Sequence, residues 1–82
     1  MNSTLKEILE TKKERNGYQV TLDQLKTARN RTYNYTDKIY EMETGIWRTQ
    51  KESKIREAEL QTLIEMANEM IEILRADYQT QI

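Results

Sequence analysis

Acidic side chains are the most plentiful groups in this chain that could do chemistry. Asp and Glu account for fourteen of the 82 residues, and Glu65, Glu69 and Glu72 share one helical face that could bind a hard cation or a basic partner. The sequence contains no histidine or cysteine. It therefore lacks the Glu-x-x-His ligands of a carboxylate metal bundle, the common zinc ligands, a thiol nucleophile and an imidazole base. We expect no catalytic residue, cofactor or metal, and interpret these carboxylates as the solvated face of an amphipathic helix.

One short segment combines basic and aromatic residues. Lys26, Arg29 and Arg31 are followed by Tyr33 and Tyr35. Arginine for phosphates and tyrosine for stacking on bases is a combination that nucleic-acid-binding proteins use. On a helix, residues spaced two apart fan around the axis and do not share a face. Nucleic-acid binding through Lys26, Arg29 and Arg31 is therefore the second hypothesis, behind an interaction with protein.

Length and composition favour a helical oligomer. A domain of 82 residues buries little surface, and small folds commonly rely on a disulfide, a metal or oligomerisation. Without cysteine and histidine, oligomerisation is the remedy that remains. The chain has no proline, two glycines and 33% charged residues, which is typical of long helices and coiled coils. We predict an all-α fold in a single domain, 1–82, that forms a dimer or higher homo-oligomer.

Charge and hydropathy limit the partners. The formal net charge of −1 gives no overall field that attracts nucleic acid or an anionic membrane. Eight basic and five acidic residues lie before Ile39, whereas five basic and nine acidic residues lie from Ile39 onward. This split favours antiparallel contact between the halves, within one chain or between two. No apolar run is long enough to span a bilayer and no signal-peptide core is present, so we expect a cytoplasmic protein without membrane insertion.

The first helix has clear start and stop signals. Thr4-Leu5-Lys6-Glu7 has the spacing of a capping box, in which hydroxyl and carboxylate satisfy the first free amides of a helix. Asn16-Gly17 supplies the left-handed residues that commonly end one. These signals predict a short helix over about 4–15 and a turn over 16–21.

A second capping box and a hydrophobic staple lie within Val20–Leu25. They predict a long helix over about 22–78, because no proline interrupts the chain beyond them. Polar residues around Asn34 and around Gly45 could host a turn. A helical hairpin is therefore the alternative to one continuous helix, and the continuous helix is favoured.

One heptad frame runs from Leu25 to Asp77 without a slip, which is the pattern of a coiled coil. The frame is polar for about a heptad, between Thr49 and Arg56. Its apolar positions form the predicted oligomer seam: Leu25, Ile39, Met42, Ile46, Leu60, Leu63, Ala67, Met70 and Leu74.

Several large side chains lie off this frame. Ile64 and Ile71 make the apolar face wider than a two-stranded coil needs. Tyr40 and Trp47, the only tryptophan, are aromatic residues of the kind favoured at contacts. Together these four residues form the candidate partner face.

We predict a non-enzymatic protein–protein interaction module, a small coiled-coil regulator, inhibitor or assembly factor that binds itself and another protein. The Asn-, Lys-, Thr- and Tyr-rich composition is typical of small proteins of phages and low-GC bacteria. A phage-type accessory protein is therefore the class that we expect.

Overall fold

Two long helices and a small β-hairpin make up the chain in the computed structural model, which describes residues 3–32 and 34–80. Helix α1 spans Ser3–Asn30, strands β1 and β2 span Ile39–Glu41 and Ile46–Arg48, and helix α2 spans Gln50–Thr80. The helices pack against each other along an elongated body of 55 × 18 × 16 Å. The fold is thus mostly helical, as predicted, but it is a helical hairpin and carries a two-stranded antiparallel sheet that was not predicted.

The continuous helix over 22–78 is wrong because the chain turns after Asn30. Asn34 organises this turn: its side-chain oxygen accepts hydrogen bonds from the backbone N–H and the hydroxyl of Thr36, at 3.1 and 2.8 Å. The backbone N–H of Asp37 also donates to the Asn34 carbonyl at 2.9 Å. Asx-type bonds of this kind offer the backbone an alternative to helix. Strands β1 and β2 then pair through a turn that ends at Gly45.

The predicted turn over 16–21 is also wrong, because α1 continues through Asn16-Gly17. The hydroxyl of Thr21 does not cap a helix start and instead donates to the Gly17 carbonyl one turn back, at 3.1 Å. The reason for continuity lies in the packing on both sides of Gly17. Residues that are buried or half-buried recur at alternating spacings of four and three: Thr4, Ile8, Thr11, Arg15, Tyr18, Leu22, Leu25 and Arg29. Burial of this stripe outweighs the weak preference of Asn-Gly for a helix end.

Helix α2 begins at a third capping box. The Thr49 hydroxyl accepts from the backbone N–H of Glu52 at 3.1 Å, and the Glu52 carboxylate accepts from the backbone N–H of Thr49 at 2.9 Å. The hydrogen bond from the Thr49 backbone to the carboxylate is the main reason why the pKa of Glu52 lies below its ordinary value. The sequence contains this signal, but the heptad frame was read across it, so the helix start was missed.

The buried face of α2 corrects the predicted heptad frame. Ile64 and Ile71 are buried, whereas Leu63 is half-buried and Met70 is exposed. One of the two series of predicted seam positions, every seventh residue from Ser53, therefore faces α1. The other series, which includes Leu63 and Met70, lies one residue before the residues that are buried, Ile64 and Ile71. The buried or half-buried face consists of Ser53, Glu57, Leu60, Ile64, Ala67, Ile71, Leu74 and Tyr78.

The centre of the core joins all three parts of the fold. It consists of buried residues from α1, β1 and α2: Leu22, Leu25, Ile39, Leu60 and Ile64. Cross-helix contacts fix the antiparallel register, with Arg29 bonded to Glu57 near the closed end and Arg15 bonded to Asn68 further down, at 2.8 and 3.2 Å. Five of the nine predicted seam residues are thereby buried within the chain: Leu25, Ile39, Leu60, Ala67 and Leu74.

Across residues 3–32 and 34–80, neither helix combines the length and apolar character needed to cross a membrane.

The buried face of α2 predicts that substitution by alanine lowers the free energy of unfolding by different amounts at two isoleucines. Ile71 is 3% exposed and Ile55 is 53% exposed. We expect Ile71→Ala to lower the free energy of unfolding by about 3 kcal/mol, because it leaves a cavity between the helices, and Ile55→Ala to lower it by less than about 1 kcal/mol. Urea denaturation followed by circular dichroism measures both, and equal costs would contradict the assigned face.

Candidate functional site

The β-hairpin presents two different faces. Its strands pair Ile39 with Arg48, Tyr40 with Trp47 and Glu41 with Ile46. Residues directly opposite each other point to the same side of a sheet, and neighbours along a strand point to opposite sides. Ile39 and Glu41 are buried against the helices, so Tyr40 and Trp47 lie on the outer face.

Tyr40 and Trp47 form a tilted aromatic pair on that outer face. Their ring centroids are 4.9 Å apart with an interplanar angle of 50°, within the range that aromatic pairs prefer. The two side chains are nevertheless 42% and 62% exposed. At Gly45, whose φ of 70° favours glycine, a Cβ atom would lie 3.6 Å from the Tyr40 hydroxyl. The turn therefore sits close to the pair and supports it.

A buried carboxylate attaches the hairpin to α2. The Glu41 side chain is 0% exposed, and its Oε1 accepts from Arg48 Nε at 2.8 Å and from Arg56 Nε at 3.1 Å. A further bond joins Arg56 Nη2 to Oε2 at 3.3 Å. Burial by itself would raise the pKa of Glu41, but the hydrogen bonds from Arg56 and Arg48 and their positive charges outweigh it, so the pKa lies below its ordinary value. Glu41 is thus ionised and tied to both its own sheet and the helix.

A second ion pair joins the helices beside the hairpin. Arg29 donates to both oxygens of Glu57 at 2.8 and 3.0 Å, and the Ser53 hydroxyl donates to Glu57 at 3.2 Å. The predicted nucleic-acid patch is therefore not one cationic surface. Arg29 is engaged inside the protein, Lys26 and Arg31 are exposed, and Tyr33 lies outside the described residues.

The hairpin and α1 border a shallow groove. It has a volume of about 470 Å³, which is large enough for side chains of a partner. Tyr40 and Met42 form its apolar wall, and the facing residues of α1 are Asp23, Gln24, Thr27, Ala28 and Arg31. A second groove of about 400 Å³ continues along Met42 toward Gly17.

Three exposed apolar side chains together define the hairpin patch: Tyr40, Met42 and Trp47. Ile46 is also exposed, but it pairs with Glu41 and lies on the other side of the sheet. Tyr40 and Trp47 belong to the predicted partner face, and the structure places them side by side. Met42 and Ile46 belong to the predicted oligomer seam, but they lie on the hairpin and not on a helix. Alternating apolar residues on both sides of Gly45 are a hairpin signal that could have located this patch.

Helix α2 carries a second exposed apolar surface, the α2 stripe, formed by Met66, Met70 and Ile73. Spacings of four and three residues place these side chains on one face of the helix. Ile64 and Ile71, which were predicted to face a partner, are instead buried against α1. The prediction exchanged Met70 and Ile71 because it placed the second seam position three residues after Leu60 and Ala67, whereas the buried residue follows each of them after four.

The polar side chains of the described residues were compared with the requirements of a metal site. Within them, no group of three or more Asp and Glu side chains is placed to hold a metal ion. Each of their buried side-chain nitrogen and oxygen atoms has a hydrogen-bond partner. The polar groups of the core are thus used by the fold itself.

Comparison with known proteins identifies no relative. The chain matches no family model, no curated protein and no solved structure.

Removing the buried carboxylate is expected to loosen the hairpin and destabilise the fold. Glu41→Gln leaves Arg48 and Arg56 without their anion, and loss of one partner of a buried ion pair costs on the order of 3 kcal/mol. The matched control is Glu43→Gln in the exposed turn, for which we expect less than about 0.5 kcal/mol. Urea denaturation at one fixed chain concentration measures both variants. A Glu41→Gln chain as stable as the control would contradict this role.

The same carboxylate predicts a stability loss in acid. The folded-state pKa of Glu41 lies below its ordinary value of 4.5, so its contribution is complete above about that pH and is lost as the pH falls through the folded-state pKa. We expect the free energy of unfolding to decrease below pH 4.5, and to decrease less steeply in Glu41→Gln. Denaturation curves between pH 6 and 2.5, taken at fixed salt, provide the measurement. An identical slope in both chains would show that Glu41 is not the titrating group.

Proposed function

We propose that this chain is a non-enzymatic protein–protein interaction module, a small helical regulator, inhibitor or assembly factor that binds protein through the hairpin patch. The observation that supports this proposal is the exposed Tyr40–Trp47 pair on a hairpin whose first strand buries Ile39 and Glu41 against the helices. Tryptophan and tyrosine are enriched among the residues that dominate binding energy. A contiguous apolar patch with a polar rim is typical of an interaction site.

The base of the hairpin supports the same function. Ile39 belongs to the hydrophobic core, and Glu41 is bonded to Arg48 and Arg56. Because these contacts fix the hairpin before a partner arrives, binding does not have to order it, and less free energy is lost to entropy. A patch held in this way suits a specific contact better than a flexible loop would.

Nucleic-acid binding through Lys26, Arg29 and Arg31 has less support. The guanidinium of Arg29 is bonded to Glu57 and contacts phosphate only if that pair opens. The formal net charge of the chain is −1, so long-range attraction to a polyanion is weak.

The proposal is tested by photo-crosslinking in the cells from which the chain comes. Benzoylphenylalanine introduced in place of Trp47 should form covalent adducts with protein, because the patch contacts its partner directly. The control is the same substitution at Lys54, an exposed position of α2 that is not part of the patch. Adducts at 47 and not at 54 are the expected result. Absence of any protein adduct at 47, in cells where the chain is folded and expressed, would contradict the proposal.

A further inference from the structure

We propose that the hairpin patch binds the α2 stripe of a second copy of this chain, reciprocally, in an antiparallel two-fold dimer. This inference rests on the proposed function and names the partner of the same site. Four further observations carry it: the face on which the two surfaces lie, their positions along α2, the distribution of charge, and the apolar area that they provide.

The hairpin and the α2 stripe lie on one face of the helical hairpin. Arg56 of α2 contacts Glu41 of β1, so the hairpin covers the face of α2 that Arg56 occupies. Steps of seven residues lead from Arg56 through Leu63 to Met70, which lies within about 40° of Arg56 around the helix axis. Met66 and Ile73 flank Met70 and are more exposed than it is. The stripe is therefore the uncovered continuation of the surface on which the hairpin packs.

The hairpin contact and the stripe lie on opposite sides of the middle of α2. Glu65 is the central residue of Gln50–Thr80; Arg56 precedes it by nine positions, and the stripe follows it by one position at Met66 to eight at Ile73. At a rise of about 1.5 Å per residue the hairpin contact lies roughly 13 Å before the centre, and the stripe lies roughly 2 to 12 Å beyond it. A two-fold axis that lies in the contact plane, perpendicular to the helices, would bring each hairpin toward the stripe of the other copy, with Ile73 nearest to the partner's Arg56. The contact is isologous and closes at two chains.

The charge distribution favours this antiparallel orientation. The segment 26–54, which contains the hairpin, has seven basic and four acidic residues, or +3. The segment 55–80, which contains the stripe, has two basic and six acidic residues, or −4, and residues 3–25 have four of each. In an antiparallel dimer the segment of net charge +3 in each copy lies beside the segment of net charge −4 in the other. In a parallel dimer, segments of like charge lie together.

The apolar area is sufficient only if both surfaces take part. The hairpin patch provides three exposed side chains and the stripe provides three. At on the order of 100 Å² each, about half of what a fully covered aromatic residue buries, they give roughly 600 Å² per copy. Stable interfaces bury about 600 to 1,000 Å² per partner. A dimer in which stripe meets stripe uses half of this area and, centred between Met66 and Met70, brings Glu59 toward Asp77 of the partner.

The first part of the test is the mass of the full chain by analytical ultracentrifugation over a range of concentrations and salt. We expect two chains for the wild type, with a dissociation constant that rises with salt because the charges attract. Met66→Gln/Met70→Gln should raise that constant roughly tenfold per contact, and hence about a hundredfold for the dimer, since symmetry counts each substitution twice. Trp47→Thr should also raise the dissociation constant. Leu9→Gln is the matched control, an exposed apolar residue of α1 that belongs to neither surface, and should leave the dimer intact.

The second part tests reciprocity by mixing two weakened variants. A Trp47→Thr chain keeps its stripe and a Met66→Gln/Met70→Gln chain keeps its hairpin patch, so a mixed dimer has one intact contact and one that lacks both sides. A contact that is already broken on one side loses little more free energy when its other side is also substituted. The mixed dimer should therefore have a lower dissociation constant than the dimer of either variant alone. The only tryptophan in the mixture is then Trp47 of the intact contact, and its fluorescence should shift to the blue on mixing. Circular dichroism verifies the helical content of each variant. If Met66→Gln/Met70→Gln lowers the helical content, Ile73→Gln is used as the stripe variant instead.

Each outcome bears on the dimer. A wild-type monomer at all concentrations overturns it, as does a dimer that survives both sets of substitutions or a mixture without tighter association. A photo-crosslink from position 47 to a different protein, together with a monomeric wild type, overturns the dimer but leaves the proposed function standing. A crosslink from 47 to a second copy supports both.

Discussion

The structure depends on one buried carboxylate. A three-residue hairpin strand pair has too little hydrogen bonding and apolar area to be stable by itself, and here it is held by Ile39 in the core and by Glu41 between Arg48 and Arg56. An ionised group with no exposed surface is tolerated only when its charge and lone pairs are satisfied. Arg48 comes from the hairpin and Arg56 from α2, so the requirement to satisfy Glu41 fixes the hairpin relative to the helices.

Fixing the hairpin determines which apolar side chains remain outside. With Glu41 facing inward, strand alternation sends Tyr40 and Trp47 outward. On α2 the face toward α1 is filled by residues such as Ile64 and Ile71, and the next face leaves Met66, Met70 and Ile73 in solvent. Two separated exposed apolar surfaces on so small a chain are the reason for proposing that it is an interaction module.

Much of the helical content can be predicted from the sequence, and the break between the helices is predicted only by the alternative of a helical hairpin with a turn around Asn34 or Gly45. Composition and the seven-residue recurrence of Leu60, Ala67 and Leu74 correctly indicate a packed helical face. Local signals mislead, because Asn16-Gly17 has the chemistry of a helix end but lies within a stripe buried along the whole of α1.

The capping box of Thr49 and the strands around Gly45 are visible in the sequence, but a frame that fits apolar residues on both sides of them hides the break. The displaced half of the frame has a separate cause. Leu63 and Met70 follow Leu60 and Ala67 by three residues, Ile64 and Ile71 follow them by four, and spacing alone does not decide which pair is buried. Pairing of Glu41 with Arg56 is a tertiary contact that spacing alone does not reveal.

Native-state hydrogen exchange of the intact chain tests most directly whether the hairpin and the helices form one cooperative structure. If Glu41 couples them, the paired amides of Ile39–Glu41 and Ile46–Arg48 will open with nearly the same free energy as amides of α2 around Leu60, and both sets will lose protection together in denaturant. Hairpin amides that exchange rapidly while those of α2 remain protected would contradict the account, because the patch would then be a mobile loop on a stable pair of helices.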